Sequence, residues 1–353
     1  MRPTRSSLAT IVAGLGLLLG AFSPLAQASE AVADALKRDA IQVRNPQAAF
    51  MIGAAKAGAT LVTVGERGLI LLSEDGGERW RQADVPVSTG LTAVRFVDAR
   101  HGMAVGHGGV VLGSSDGGES WRLLLDGRKA AELALAAAQR GDDDRAVMEA
   151  QRLVEEGPDK PFLDVVLTDP NHAVVVGAYG LAFETADGGR SWTPIMDRMA
   201  NPNLLHFYSI RRQGSRMVVV GERGLVNLSD DGGKTFRAIE TPYSGSFFTV
   251  ELPSSHSIVA AGLKGNVWRS DDNGDQWSSV QSPIEASVTA SRVTSSGSIL
   301  LGNQAGMVLS LDNTRLTPVT QKRFPPINTF MVENDGIVVM TAEGIRLART
   351  SRQ

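Results

Sequence analysis

Residues 73 to 80 read Ser73-Glu-Asp75-Gly-Gly77-Glu-Arg-Trp80. A hydroxyl, two nearby carboxylates, two glycines and an aromatic side chain could form a site or a piece of scaffold. The octet recurs, and the recurrence decides between them. Ser114-Ser-Asp116-Gly-Gly118-Glu-Ser-Trp121 and Thr185-Ala-Asp187-Gly-Gly189-Arg-Ser-Trp192 match it fully. Ser229-Asp-Asp231-Gly-Gly233-Lys-Thr-Phe236 and Ser270-Asp-Asp272-Asn-Gly274-Asp-Gln-Trp277 follow, then a decayed copy, Ser310-Leu-Asp312-Asn313. The copies lie about 41 residues apart, with one step about 30 residues longer. A stretch repeated once per unit at the same place reads as structure. Its glycines supply backbone angles closed to other residues. Its Asp and Ser/Thr side chains bond the turn's own backbone. Its Trp packs as an aromatic plug. Ser73, Asp75, Gly77, Trp80, Asp116, Trp121, Asp187, Trp192, Asp231, Phe236, Asp272 and Trp277 are assigned that role.

A second motif, G-x-x-G, precedes each octet. It stands at Gly65–Gly68, Gly106–Gly109, Gly177–Gly180, Gly221–Gly224 and Gly262–Gly265, with a looser sixth at Gly302-Asn-Gln-Ala305. Strand-length β-branched runs flank it, such as Leu61-Val-Thr-Val64 and Leu69-Ile-Leu-Leu72, which is a hairpin signature. One unit therefore reads strand A, turn, strand B, G-x-x-G, strand C, Asp turn, strand D. Residues 91–125 show it whole, with A at 91–97, B at 103–105, C at 110–114 and D at 121–125. Four antiparallel strands in about 42 residues is the period of a propeller blade. Six units carry the Asp turn or its remnant. A seventh, at 327–348, has three strands and no D strand. The expected fold is all-β, a seven-bladed propeller over residues 29–353. An N-terminal strand near 40–44 (Ala-Ile-Gln-Val-Arg) is expected to supply the missing outer strand and close the ring.

The long step holds residues 128–158. Lys129 to Arg140 is alanine-rich and helical by propensity, Gly141 ends it, Asp142-Asp-Asp144 caps a second helix to Glu156, and Gly157-Pro158 stops that one. A helical hairpin between blades 2 and 3 follows, with Leu133, Leu135, Val147, Met148, Leu153 and Val154 seeking cover on the propeller rim or on a partner.

The chain's first residues stand apart from the repeats. Arg2 and Arg5, the apolar run Leu8–Gly20, Pro24 and Ala26-Gln-Ala28 form the pattern of a secretory signal peptide, residues 1–28, cut after Ala28. The run is shorter than the roughly 20 residues a spanning helix needs. A periplasmic, non-spanning product is expected. Zero cysteines fit an oxidising compartment and rule out thiol chemistry and cysteine zinc sites. A net charge of −3 with no basic run excludes nucleic acid as a partner class.

The S-x-D-x-G-x-x-W motif resembles the Asp-box or bacterial neuraminidase repeat, found in sialidases, some endo-glucanases and sortilin-like receptors. With its V-V-G-x-x-G blocks at Val174–Leu181 and Val218–Val226 and its export signal, the chain is most similar to the photosystem II stability/assembly factor-like family, as a non-photosynthetic bacterial relative. The resemblance implies a non-enzymatic periplasmic scaffold that assists a membrane protein complex, including a transporter subunit as a client, and it implies an arginine-bearing contact face. It implies no cofactor.

A sialidase would need three convergent arginines, a Tyr-Glu pair and an acid Asp. The Phe/Tyr-Arg-Ile-Pro motif is absent, and none of Tyr179, Tyr208 and Tyr243 has a Glu partner suggested by the sequence. An Asp-box glycoside hydrolase working through axial carboxylates from separate blades is the alternative function. A receptor-like domain is a third reading. His101, His172 and His256 occupy equivalent turns before strand B, which points to turn chemistry, and no metal motif is present.

The B–C hairpins share one face and the Asp turns the other. The two middle residues of each G-x-x-G vary: Glu66-Arg67, His107-Gly108, Ala178-Tyr179, Glu222-Arg223, Leu263-Lys264 and Asn303-Gln304. Arg, Tyr and His favour interfaces. Arg67, Arg223, Lys264, Tyr179, His107, Glu66 and Glu222 are the candidate partner-binding residues.

Overall fold

The computed structural model describes residues 34–312, 314–333 and 336–349. The signal-peptide reading of residues 1–28 lies outside them. Seven antiparallel sheets follow one another, six of four strands and one of three. In the six four-stranded blades the strands run A to D in chain order and in the seventh A to C, with A innermost, so each connection is a hairpin. The inner strands are Met51–Ala57, Leu91–Phe96, Phe162–Leu167, Phe207–Gln213, Phe247–Glu251, Val288–Val293 and Ile327–Glu333.

The B strands read as unbroken apolar runs, such as Ala173-Val-Val-Val-Gly177, and every residue of that strand is buried. Neighbouring blades cover both faces, so period-2 alternation disappears. The core is a series of clusters between blades. Val174, Val176 and Ala182 of blade 3, for example, pack on Phe207, Ile210, Met217 and Phe236 of blade 4.

Ring closure differs from the sequence expectation. Residues 40–44 form no strand, and blade 7 keeps three strands, Ile327–Glu333, Gly336–Thr341 and Gly344–Arg349. The segment instead lies on the outer part of blade 1. The Ala40 N–H donates to Val85 O at 2.9 Å, and Gln82 both accepts from the Val43 N–H and donates to Ile41 O. Side chains close the ring: Met51, Ala54, Leu71 and Trp80 of blade 1 pack on Met331, Val338 and Met340 of blade 7. The Asn328 amide also donates to Met51 O at 2.9 Å. Apolar contact between the first and last blades does the work a shared strand would do.

The Asp turns close on themselves. In blade 1, Ser73 Oγ donates to Asp75 and accepts from the Gly77 N–H, Asp75 accepts from the Arg79 N–H, and Trp80 Nε1 donates to Gly77 O. Blade 2 repeats all four bonds. The plugs wedge between blades: Gly118 lies against Leu72 and Val62 of the preceding blade. The decayed copy forms no such turn. Strand C of blade 6 runs straight through it, Val308–Asp312, and pairs with Arg315–Pro318.

The insertion is a helical hairpin, α1 at Gly127–Ala138 and α2 at Asp144–Glu156. Asp126 caps α1 through the Lys129 N–H, and Asp143 caps α2 through the N–H groups of Arg145 and Ala146. Ala130, Ala134 and Ala150 are buried with Leu133, Leu135 and Leu153 against the blade 2–3 core, while Met148 and Val154 stay exposed on α2.

Candidate functional site

Seven B–C turns ring one mouth of the propeller. Each is pinned by the same backbone bond to the residue before strand A of its own blade. Glu66, His107, Ala178, Glu222, Leu263, Gln304 and Ala342 donate to the carbonyls of Phe50, Gly90, Pro161, His206, Ser246, Ser287 and Pro326, at 2.8–3.3 Å. This series corrects the sixth motif, which is Asn303-Gln-Ala-Gly306, one residue later than the sequence suggested. Gly306 takes the positive φ of 75° and Asn303 the place of the first glycine.

The second middle residue of each G-x-x-G sits in the left-handed region: Arg67 at φ 56°, Gly108 at 73°, Tyr179 at 55°, Arg223 at 52° and Lys264 at 56°. A side chain there costs about 1 kcal/mol or more relative to glycine. Four of the five positions carry one regardless, all exposed. Glu66 and His107 are exposed and Glu222 half-buried, so the seven predicted residues share one face in five adjacent turns.

Sequence reasoning missed what joins them. The Lys160 ammonium lies 5.1 Å above the Tyr179 ring. Tyr179 packs on His206 at 4.7 Å, His206 approaches Tyr208 at 6.2 Å, and Tyr208 meets Phe248 edge-on at 5.4 Å. Glu222 accepts the His206 N–H at 3.0 Å. An aromatic strip thus runs from the blade 3 turn across blade 4 to the axis. Beside it, Arg223 borders a cleft of about 510 Å³ lined by Asn201, Pro202, Glu240 and Tyr243. The missing signal was the residue before strand A, which is invisible unless the blades are aligned on their pinning bonds.

The axis is a second site. In all seven blades strand A carries a bulge after its first residue. A bulge re-aims side chains, and here both the second and the third residue face the channel. The second residues are Ile52, Thr92, Leu163, Tyr208, Phe248, Thr289 and Asn328, and all line a cavity of about 340 Å³. Arg95, Arg211 and Arg292, at the fifth position in alternate blades, line it too. Asp164 is 4% exposed and accepts from Arg95 at 2.9 Å, Arg211 at 2.7 Å, Ser209 and the N–H groups of Val165 and Ile210. Burial pushes its carboxyl up, but the two guanidiniums and these N–H donors outweigh burial and leave it below the usual range. Glu251 accepts from Ser291 at 2.8 Å and faces Arg211 at 3.5 Å. Burial, then the charges of Arg95 and Arg211, push the Arg292 guanidinium down to about 9.

The turn histidines bond locally, His101 to Asp98 and His172 to Asp169 at 2.9 Å, and His256 to Ser255. Among the described residues no group of three or more His, Asp and Glu side chains is placed to hold a metal, and no helix is long and apolar enough to cross a membrane.

A model of the family described as Photosynthesis system II assembly factor YCF48 matches residues 143–300, from α2 into blade 6. The match spans 158 of the chain's 353 residues, and over that stretch the sequence is similar to this family. The photosystem II assembly lipoprotein Ycf48 of Synechococcus sp. (strain CC9902) is 29% identical over 99 residues, 28% of this chain and 28% of that protein. Among solved structures, YCF48 bound to a D1 peptide aligns with TM-score 0.63 at 16% identity, covering 89% of this chain and 99% of that one. YCF48 from Cyanidioschyzon merolae gives TM-score 0.63 at 18% identity, covering 87% and 97%. At these identities the structural likeness carries the fold. The YCF48-like match contains the turns of Tyr179, Arg223 and Lys264, and it begins after those of Arg67 and His107.

Proposed function

We propose that this chain is a non-catalytic, exported binding scaffold that assists the assembly or function of a membrane protein complex through its B–C face. The carrying observation is the continuous strip Lys160–Tyr179–His206–Tyr208–Phe248, with Tyr179 exposed and the other four half-buried, and with Arg223 and Glu222 beside it, next to turns pinned to a rigid ring. Preorganised loops bind without a large ordering cost, and Tyr and Arg are among the side chains that dominate contact energies. A relative described as an assembly lipoprotein, and another solved with a peptide of D1, support a membrane protein as the client. The periplasm as compartment rests on the reading of residues 1–28, and a transporter subunit as client on the family resemblance.

The hydrolase alternative draws on the axial carboxylates, and their bonding speaks against it. Asp164 has five donors on it, which hold it ionised and unsuited to act as a general acid, and Glu251 is tied to Ser291 and Arg211.

The test is crosslinking of the tagged protein in intact cells, with mass spectrometry of the solubilised envelope, beside Arg67→Ala/Arg223→Ala. A specific membrane complex that the double variant loses is the expected result. A complex that survives moves the contact to the 128–158 hairpin. A chain that captures no membrane protein overturns the reading and makes glycan hydrolysis the next assay.

A further inference from the structure

We infer that the axial channel is a binding site for a small organic carboxylate, held by Arg292 with Arg95 and Arg211. The inference stands apart from the partner proposed for the B–C face, since it concerns the inner strands alone.

The charges in the channel do not balance. Three guanidiniums, Arg95, Arg211 and Arg292, line one lumen with the carboxylate of Asp164, and Glu251 lies behind them against Arg211. Both carboxylates are taken by Arg95 and Arg211. Among the described residues no carboxylate lies within ion-pair distance of Arg292. Its partners are neutral oxygens: Ser291 O at 2.7 Å, Ala54 O at 3.1 Å and Thr329 Oγ1 at 3.1 Å. A buried charge normally has a counter-charge, because desolvation is costly without one. One negative charge would complete the set.

The shape of the space selects the anion. Among the described residues, Arg292 keeps its Nε–H and one Nη1–H unbonded, and these can donate to the oxygens of a carboxylate. A single carboxylate supplies one charge, whereas phosphate near neutral pH carries more. The bonds already made hold Arg292 in place on the floor of the channel, with Phe330 under it at 6.0 Å. Above, towards the B–C mouth, Ile52, Leu163 and Phe248 offer apolar walls for a short carbon stem, and Thr289 a hydroxyl. The volume of about 340 Å³ is at the small end of ligand sites. The bulge in every inner strand is what turns these side chains inward, so the site is a product of the seven-fold repeat rather than of one loop.

Butyrate is the probe, titrated calorimetrically into the purified exported protein at constant ionic strength set with chloride. Inorganic phosphate is the second probe. The expected result is saturable butyrate binding that Arg292→Gln weakens by about tenfold or more. Arg292→Lys, which keeps the charge and loses the guanidinium's separate donors, should fall between the two and serves if the glutamine variant does not fold. No saturable butyrate binding, or equal affinity in folded Arg292 variants, overturns the site. Phosphate binding as tightly as butyrate overturns the carboxylate assignment.

Discussion

The two faces of this propeller are built from turns of equal regularity, yet they use their side chains in opposite ways. On the Asp-turn face the polar groups bond inward: Ser73, Asp75 and Trp80 are consumed by their own turn, and Ser114, Asp116 and Trp121 by theirs. On the B–C face the bond that recurs in every blade is backbone to backbone, one N–H to one carbonyl, while the side-chain bonds differ from turn to turn. The side chains of Arg67, Tyr179, Arg223 and Lys264 are left over, and they point outward from a conformation that disfavours them. Where a repeat fixes itself with side chains, its sequence must recur. Where it fixes itself with backbone, its sequence is free for contacts.

The strongest test sets one glycine from each face against the other. At Gly224 an added methyl would sit 1.9 Å from Tyr243 O, with φ at 75°. At Gly232, in an Asp turn, φ is 80° and nothing lies within 4 Å. Gly224→Ala should cost more than about 3 kcal/mol in urea unfolding, and Gly232→Ala about 1 kcal/mol. Equal costs would break the claim that B–C turns are held by close backbone approach.

Acid should attack the other face first. Hydrogen bonds from the Ser191 hydroxyl and N–H, with Thr185, hold the Asp187 carboxyl down to about 2, against 3.8 when free. Arg79 does the same for Asp75, to about 2. A carboxyl lowered on folding stabilises fully above its free value and loses that contribution as pH falls through the folded one. The urea midpoint should therefore hold down to about pH 4 and then drop towards pH 2. Asp187→Asn should be less stable than the parent at pH 7, with the gap narrowing in acid. A constant gap would show that the carboxylate charge is idle.

Two smaller effects sharpen the contrast. Trp121 Nε1 donates to Gly118 O at 2.9 Å, while Trp192 Nε1 is buried with no partner. Trp121→Phe should cost about 1 kcal/mol more than Trp192→Phe in thermal unfolding. Smallest is Arg67→Gly, which relieves the left-handed backbone. It should leave stability unchanged or raise it by up to about 1 kcal/mol, while weakening the crosslinked complex. An arginine that proves stabilising would belong to the scaffold after all.

Much of this was legible in the sequence because the repeat is written in residue types. The octets and G-x-x-G motifs place the blades, and the break at 128–158 places the hairpin to within two residues of its helices. Ring closure was not legible. Ala40–Arg44 alternates like a strand, but its partner is the side-chain amide of Gln82 and the Val85 carbonyl, and no periodicity reveals that. The predicted contact residues do share a face, yet His206, Tyr208 and Phe248 were passed over because they sit before or within strand A. The axial arginines were missed for a related reason. Ala-Val-Arg95, Ser-Ile-Arg211 and Ala-Ser-Arg292 hold the same register in blades 2, 4 and 6, but a bulge shifts which residues face inward, and the sequence carries no mark of it.

A ring sealed by packing rather than by an exchanged strand has a seam. At every other junction the chain itself ties one blade to the next, while blades 1 and 7 are held by Met51, Trp80, Met331, Val338 and their neighbours. Nothing covalent delays that joint, so the blades can be made in order as the chain emerges, and sealing comes last. If that joint is the first to part, a substitution such as Met331→Ala should hasten unfolding while leaving the rate of folding nearly untouched.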